Sequence, residues 1–341
     1  MAKKLIILAC FILFSTMLVI GLSLKNLATP YDLAQPKIID VAPGDSITKV
    51  AQKMKQMNLL HFPLQLVFFA RITDLAHKIK AGEYEVNDQD TALTVLDKIV
   101  KGKMKHYPIT IIEGWTAAQA LSAIQQAHGV VTTIQQQDLI KLVDSIDEFK
   151  GYASIEGLIF PSTYHYHKGS KDVEIVKRAM QKMQSVLQQA WSERQPRLPI
   201  KSAYEALILA SIVEKETGLV SERPQIAGVF ILRLRKNMRL QSDPTVIYGM
   251  GKNYKGNISA KDLDEETPFN TYQIAALPPT PIALPGKAAI EAVLNPKENG
   301  MLYFVAKGDG SHVFSTNLND HNRAVKQYQL NRKKSYRSSP Q

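Results

Sequence analysis

The stretch Tyr204-Glu-Ala-Leu-Ile-Leu-Ala-Ser-Ile-Val-Glu-Lys-Glu-Thr-Gly218 contains the chain's most informative pattern. Its first ten residues include neither proline nor glycine and are rich in Leu, Ile and Ala. Such a segment predicts a helix that is buried on most of its faces. The helix would carry Glu214 and Glu216 to its carboxyl end, where Gly218 is expected to stop it.

These two glutamates are the chain's candidates for acid–base chemistry. Residues two apart on a helix are separated by about 200°, so Glu214 and Glu216 project from different faces and cannot share one task. Burial raises the pKa of a carboxyl group, and a glutamate that stays protonated near neutral pH can donate a proton to a glycosidic oxygen. One of the two could be such an acid; the alternative is an ordinary solvated helix end.

The beginning of the chain predicts a membrane anchor. Lys3 and Lys4 precede Leu5–Leu24, twenty residues without a formal charge. Twenty helical residues span roughly 30 Å, the hydrocarbon thickness of a bilayer. A cleaved signal peptide is the alternative, but its apolar core would be only about 7–15 residues long and would end in small residues, unlike Gly21-Leu-Ser-Leu24. We therefore expect residues 5–24 to remain as a transmembrane span.

Charge and cysteine content indicate where the rest of the chain lies. The two lysines favour a cytoplasmic tail of residues 1–4, which places everything after Leu24 outside the cytoplasm. Cys10 is the only cysteine, so the exported part has no disulfide and no thiol nucleophile. The net charge of +11, from 42 basic and 31 acidic residues, favours an anionic partner such as an acidic polymer or a membrane surface. Nucleic acid is not expected as a partner outside the cytoplasm.

The exported part is predicted to have an α+β fold in two domains after a polar linker, residues 25–38. Alternating strand and helix patterns predict a small domain over residues 39–105. Its expected elements are a strand at Lys37–Val41, helices at Ile47–Met57 and Pro63–Ile72, a strand at Ala81–Val86 and a helix at Thr91–Val100.

A larger mixed α+β domain is predicted over residues 106–330, followed by a disordered basic tail, residues 331–341. Its other expected elements are a strand at Tyr107–Ile112, helices at Thr116–Ala127, Val173–Trp191 (capped by Asp172) and Glu222–Lys236, a long loop at Gly249–Gly286 and a hairpin around Gly308–Gly310. Loops of that length inside a compact domain are usually functional.

No metal or cofactor is expected. His165 and His167 lie close in sequence, as do His312 and His321, but no histidine pair has metal-ligand spacing. The sequence also has no glycine-rich phosphate loop and no Gly-x-Ser-x-Gly elbow. The chemistry is therefore expected to depend on carboxyl groups.

Several motifs, in order along the chain, resemble the YceG-like family, the endolytic murein transglycosylases of the bacterial envelope. They are Glu156-Gly-Leu-Ile-Phe-Pro161, Ala210-Ser-Ile-Val-Glu-Lys-Glu-Thr217, Met238-Arg-Leu-Gln-Ser-Asp-Pro-Thr-Val-Ile-Tyr-Gly249, Asn270-Thr-Tyr272, Leu277-Pro-Pro279, Pro281-Ile-Ala-Leu-Pro-Gly286 and Leu302-Tyr-Phe-Val305. The segment Val41-Ala-Pro-Gly-Asp-Ser-Ile-Thr-Lys-Val-Ala51 also resembles the opening of LysM glycan-binding modules. The small domain is therefore expected to be LysM-like.

The resemblance implies that Glu216 is the catalytic acid. Protonated Glu216 would donate to the oxygen that links MurNAc to GlcNAc, and its carboxylate would then take the proton from the MurNAc C6 hydroxyl as that group attacks C1. The product would be a 1,6-anhydroMurNAc end, formed without water. The residues expected to bind substrate are Glu156, Thr217, Gln241, Asp243, Tyr248 and Asn270. Ser242 stands where the family pattern often has a different residue, and position 218 also varies.

The expected protein is thus a single-pass enzyme of the bacterial inner membrane with its catalytic domain in the periplasm. Its partners would be peptidoglycan strands, the membrane through residues 5–24, and peptidoglycan synthases. Two alternatives stay open: a muramidase that uses water, and a non-catalytic glycan-binding scaffold. The mass of the released products distinguishes the first, and glycan binding without turnover would indicate the second.

Overall fold

A single long apolar helix, α1 (Ala2–Leu27), begins the computed structural model, which describes residues 2–330. Lys3–Leu27 is long and apolar enough to cross a membrane, and none of its most apolar window is buried in protein. The helix continues three residues beyond the predicted end of the span at Leu24, into the segment expected to be linker. Leu27 is only 1% exposed and packs in the core of the domain that follows.

The chain divides into two compact units, of which the first comprises the residues up to Tyr107 together with His165–Ser170. Its elements after α1 are β1 (Lys37–Val41), α2 (Ile47–Gln56), α3 (Pro63–Ile72), β2 (Gly82–Val86) and α4 (Ala92–Lys101). This order and these bounds agree with the sequence prediction to within one residue. β1 pairs antiparallel with β2, with Ile39 opposite Tyr84. Both side chains are fully buried in a core shared with the helices.

The second unit comprises residues 108–164 and those from Lys171 onward. The strands β3 (Tyr107–Thr110) and β4 (Thr163–Tyr166) form a two-stranded sheet. The helices of the second unit are α5 (Ala117–Gln125), α6 (Leu139–Asp144), α7 (Asp172–Ser192), α8 (Ala203–Glu216), α9 (Arg223–Arg235), α10 (Asp243–Met250), α11 (Ala260–Asp264), α12 (Lys287–Leu294) and α13 (Leu318–Val325). The hairpin β5 (Tyr303–Ala306) and β6 (His312–Ser315) pairs antiparallel before α13. The mixed α+β class is confirmed.

Helix α8 is buried as its composition predicts. Ser202 caps its amino end by accepting a hydrogen bond from the backbone N–H of Glu205. All eight residues from Ala206 to Val213 are buried, and α8 contacts α7, α9, α10 and α12. A helix that is apolar on every face is stable only where other elements surround it. The surrounding helices hold its carboxyl end, and thus Glu216, in a defined position.

Helix α8 stops directly before Gly218, as predicted, because the chain leaves the helix at Thr217 in an extended conformation. Two other local predictions were wrong. Asp172 is the first residue of α7 instead of its cap, and its buried carboxylate accepts hydrogen bonds from Thr133 and Ile134. The expected loop at Gly249–Gly286 contains α11. The tail at 331–341 lies outside the described residues.

Candidate active site

Glu216 is the last residue of α8, and it lines a cavity of about 430 Å³ in the second unit. The other lining residues come from six further segments of the chain. They are Arg233, Leu240, Gln241, Asp243, Tyr272, Tyr303, Phe304, Val305, Leu318, His321, Asn322, Val325 and Gln329. Of the residues predicted to bind substrate, Gln241 and Asp243 therefore share the cavity with Glu216.

Burial raises the pKa of Glu216 to about 7. A hydrogen bond from Ser242 and the charge of Arg233 oppose this rise, whereas the negative charge of Asp243 adds to it. The carboxyl end of a helix carries partial negative charge, which also favours the protonated form. A substantial fraction of Glu216 is therefore protonated at neutral pH, which is the state that a proton donor needs.

The hydroxyl of Ser242 has an unusual role for a residue directly before a helix. Serine in that position normally accepts a hydrogen bond from the backbone of the first helical turn. Here Ser242 makes no such bond; its Oγ donates to Oε1 of Glu216 over 2.5 Å. Since Oε1 is occupied by this donor, Oε2 is the oxygen available to hold a proton toward the cavity.

Two cavity residues, Arg233 and Gln241, have an unusual relation to the backbone. Arg233 is fixed by backbone carbonyl oxygens, and Gln241 has a strained backbone conformation of its own. Buried Arg233 donates to the carbonyl oxygens of Leu302 (2.8 Å) and Leu240 (2.7 Å), so its guanidinium is fixed beside the carboxyl of Glu216. Gln241 adopts a left-handed backbone conformation, with φ at 51°. Residues other than glycine rarely do so, and such strain is concentrated at functional sites.

Asp243 and Tyr272 form a hydrogen-bonded polar pair that lines the cavity. The hydroxyl of Tyr272 donates to Oδ1 of Asp243 over 2.6 Å. Burial and this bond raise the pKa of Tyr272, so it stays a neutral donor. The pair places an acceptor with a fixed orientation near Glu216.

Glu214 has a different environment, which distinguishes it from Glu216. Its Oε1 accepts from Arg223 over 2.7 Å, and its Oε2 accepts from the backbone N–H of Gly286 over 3.0 Å. Burial raises the pKa of Glu214, and both donors oppose that rise. Because both oxygens already have partners, Glu214 serves to tie α8 to α9 and to the start of α12.

Thr217, predicted to bind substrate, is buried and occupied within the protein. Its Oγ1 accepts a hydrogen bond from the backbone N–H of Leu219 over 3.0 Å. This contact shapes the turn that follows α8.

Asn270 is likewise a structural residue. Its Nδ2 donates to the carbonyl oxygens of Asp262, Leu263 and Glu265, and its Oδ1 accepts from the backbone N–H of Tyr272. Asn270 thus clamps the loop between α11 and Tyr272. It orders the wall of the cavity without lining it.

Glu156 and Tyr248 form a separate buried cluster. Glu156 borders a second cavity of about 430 Å³ beside α5, and neither residue lines the cavity of Glu216. Oε1 of Glu156 accepts from the N–H of Ala117 over 2.8 Å, and Oε2 accepts from the hydroxyl of Tyr248 over 3.2 Å. Burial raises the pKa of Glu156 to about 7. The cluster ties α5 to α10, whose first residue is Asp243.

We expect Glu156→Gln to stabilise the protein above neutral pH. The pKa of Glu156 is about 7 in the folded state and 4.5 when unperturbed, so its buried charge destabilises the fold increasingly from pH 4.5 to 7 and constantly above. The gain in unfolding free energy should be near zero at pH 4.5 and should approach about 3 kcal/mol at most at pH 8. Urea unfolding in detergent micelles at pH 4.5 and at pH 8 measures this gain in unfolding free energy. Exposed Glu193→Gln is the control, and an equal effect at both pH values would contradict the prediction.

Sequence patterns missed four polar or aromatic members of the cavity: Arg233, Tyr272, Tyr303 and His321. Tyr303 stacks on His321, with ring centroids 5.1 Å apart, and the buried Nδ1 of His321 has no hydrogen-bond partner among residues 2–330. Burial lowers the pKa of His321, so the ring is neutral at neutral pH. These residues lie 17 to 105 positions beyond Glu216. Tyr272 and Tyr303 stand in the Asn270–Tyr272 and Leu302–Val305 motifs, whereas Arg233 and His321 stand in none.

A half-buried glutamate that holds its proton inside a polar cavity is typical of acid–base catalysts that cleave glycosidic bonds. The sequence profile of the YceG-like family matches residues 39–327. The chain therefore belongs to the YceG-like family.

Relatives and a solved structure support this assignment. The chain is 29% identical to the endolytic murein transglycosylase of Bacillus subtilis (strain 168) over 305 residues, 85% of this chain and 84% of that protein. It is 27% identical to the endolytic murein transglycosylase of Streptococcus pneumoniae (serotype 2, strain D39) over 88% of this chain, and it spans 60% of that longer protein. A crystal structure of a YceG-like protein from Listeria monocytogenes is 27% identical, covers 85% of this chain and 99% of that one, and has a TM-score of 0.53.

Proposed function

We propose that this protein is an endolytic peptidoglycan lytic transglycosylase, a lyase that cleaves the MurNAc–GlcNAc bond inside glycan strands. The position of the Glu216 carboxyl group is the observation that carries the proposal, because a buried carboxyl group with a pKa near 7 that lines a cavity is suited to donate and then accept a proton. The names of the curated relatives support the same reaction.

In the first step, Oε2 of Glu216 donates its proton to the glycosidic oxygen as the C1–O bond of MurNAc breaks. The leaving sugar departs with a free hydroxyl, and positive charge develops at C1 and the ring oxygen. The carboxylates of Glu216 and Asp243 lie on the same cavity and stabilise that charge. The neutral Tyr272 hydroxyl keeps Asp243 oriented.

In the second step, the C6 hydroxyl of MurNAc attacks C1 while the Glu216 carboxylate removes its proton. A C6–O–C1 bridge forms, Glu216 is protonated again by the proton of the C6 hydroxyl, and water is not consumed. Ser242 and Arg233 stabilise the intermediate carboxylate, the former through its hydrogen bond and the latter through its charge. One carboxyl group performs both tasks, so no second proton carrier is required.

The proposed setting is a bacterial inner membrane. Residues 1–4 would be cytoplasmic, 5–24 would span the bilayer, 25–38 would form a linker, and 39–105 a LysM-like domain that precedes the catalytic domain, 106–330, in the periplasm. The apolar helix α1 supports the single-pass topology. Peptidoglycan strands would be the substrate, and peptidoglycan synthases would be protein partners.

Mass analysis of the products tests the proposed reaction. Purified sacculi digested with the detergent-solubilised full-length protein should yield muropeptides with 1,6-anhydroMurNAc ends. A hydrolase would instead give reducing ends, heavier by one water. A scaffold would bind the sacculi and release nothing. Either of these last two results would overturn the proposal.

The pH dependence of the reaction should follow Glu216. Its protonated form is needed to start the reaction, so kcat/KM should fall about tenfold per pH unit above pH 7. Ser242→Ala removes a hydrogen bond that lowers the pKa of Glu216 and should move this fall to higher pH. Asp243→Asn removes a charge that raises that pKa and should move the fall to lower pH. Rates measured from pH 5 to 9 check both directions, and shifts of the same sign in the two variants would contradict the assignment.

A further inference from the structure

Helix α3 exposes a continuous apolar stripe. Leu64, Phe68 and Ile72 follow one another at four-residue spacing, so they lie on one face of the helix. Their exposed fractions are 77%, 61% and 65%, and Phe62, directly before the helix, is 62% exposed. Large apolar side chains rarely form such a contiguous patch against water unless they contact a partner or a membrane.

The opposite face of α3 is buried. Leu66, Val67 and Ala70 pack in the core of the first unit. The helix is therefore apolar nearly all round, which is typical of a helix surrounded by protein or lipid. Its inner side is covered by protein, whereas its outer side is exposed.

Helix α3 lies against α1, the proposed membrane anchor. Nδ2 of Asn26, near the end of α1, donates to Oε1 of Gln65 in α3 over 2.8 Å. Apolar residues of the two helices also line a shared cavity of about 140 Å³. They are Val19, Ile20, Leu24 and Leu27 of α1 and Phe68, Phe69 and Ile72 of α3.

These contacts reach back along the proposed transmembrane span. Val19 precedes Leu24 by five residues, which is about 8 Å along a helix axis. Helices that lie in a membrane interface are buried about 5–10 Å into the boundary between headgroups and acyl chains. The carboxyl half of α3 therefore lies beside α1 at the depth where lipid is expected.

We propose that α3 inserts its apolar stripe (Leu64, Phe68 and Ile72) into the outer leaflet of the membrane that α1 crosses. The inference rests on the proposed anchoring role of α1, with which the stripe is continuous. Exposed Arg71, adjacent to Ile72, suits the lipid phosphates at that depth. The first unit would then be seated on the bilayer by two elements instead of one.

Site-specific fluorescence in proteoliposomes tests this proposal. Cys10→Ser removes the only cysteine, so a single new cysteine can be labelled with nitrobenzoxadiazole at Phe68→Cys or, separately, at Leu64→Cys. Both native side chains are exposed, so neither change removes core packing. The full-length protein is reconstituted into phosphatidylethanolamine–phosphatidylglycerol vesicles, with and without lipids that carry a spin label near the headgroup.

Two further positions calibrate the signal. Phe11→Cys, on α1, reports the anchor, and Lys101→Cys, on the exposed surface of α4, reports solvent. We expect the labels at 68 and 64 to emit roughly threefold more strongly than the label at 101, as insertion at an interface implies, and to be quenched by the spin-labelled lipid.

The outcomes separate this inference from the anchor itself. Labels at 64 and 68 that behave like the label at 101, while the label at 11 reports lipid, would overturn the seating of α3 and leave the anchor intact. A label at 11 that reports water would overturn the anchor and the seating together. Strong emission at 68 without quenching by lipid would mean that a protein surface covers the stripe, which also overturns the proposal.

Discussion

Replacing Glu216 with Gln is expected to lower glycan cleavage by about 10²–10⁴-fold, the usual contribution of a positioned acid–base group. The amide keeps the size of the side chain and still accepts the hydrogen bond from Ser242, but its N–H is far too weak an acid to transfer a proton to the glycosidic oxygen. The fold should persist, because removing a carboxyl group with a raised pKa relieves a buried charge. The measurement is the rate of formation of anhydro-ended muropeptides.

Glu214→Gln is the matched control, since it makes the same change two residues away on the same helix. The activity of the folded variant should stay within about tenfold of the parent, because both oxygens of Glu214 are engaged away from the cavity, although loss of the charge beside buried Arg223 should lower its stability. Full activity in Glu216→Gln with loss in Glu214→Gln would move the acid to the other glutamate. Circular dichroism of both variants excludes unfolding as the cause of any loss.

Among the substitutions proposed for this protein, Arg223→Met should lower the free energy of unfolding most, by about 3–5 kcal/mol at pH 8. The change leaves Glu214 buried with only the N–H of Gly286 as a partner. Without the arginine, the folded-state pKa of Glu214 rises further above 4.5, so the penalty grows as pH rises above that value. Glu214 can escape by taking a proton, and the loss should therefore be smaller at pH 5.

A double variant shows whether the uncompensated charge is the cause. Arg223→Met combined with Glu214→Met removes both members of the buried pair, and it should be more stable at pH 8 than Arg223→Met alone. Urea unfolding in detergent micelles at pH 5 and pH 8 measures all three proteins. Equal losses at both pH values, with no recovery in the double variant, would show that packing and not charge dominates at Arg223.

Local patterns predicted the helices well where burial follows sequence directly. The apolar run before Glu214 predicted α8, and the bounds of α3 agree with prediction because Pro63 starts the helix and its apolar run continues to Ile72. Gly218 was a correct signal for the end of α8, since the helix ends at Glu216 with Thr217 as its cap.

The candidate site was less predictable because it is assembled from distant segments. Gln241 and Asp243 lie in the Met238–Gly249 motif, and both line the cavity. Arg233 has no local signal: its role arises because the carbonyl oxygens of Leu240 and Leu302 hold it beside Glu216. Polar residues inside the motifs also differ in role: Asp243 lines the cavity, whereas Thr217 and Asn270 make hydrogen bonds within the protein.

The clamp made by Asn270 has a practical consequence for labelling. The three bonds of its Nδ2 reach back only to Asp262, so residues 251–258, most of them exposed, precede the segment that the clamp holds. Exposed segments with few backbone constraints tolerate inserted sequence best. A short epitope or fluorogenic tag placed near Gly256 would report where the enzyme resides in a growing cell while the wall that carries Tyr272 keeps its shape.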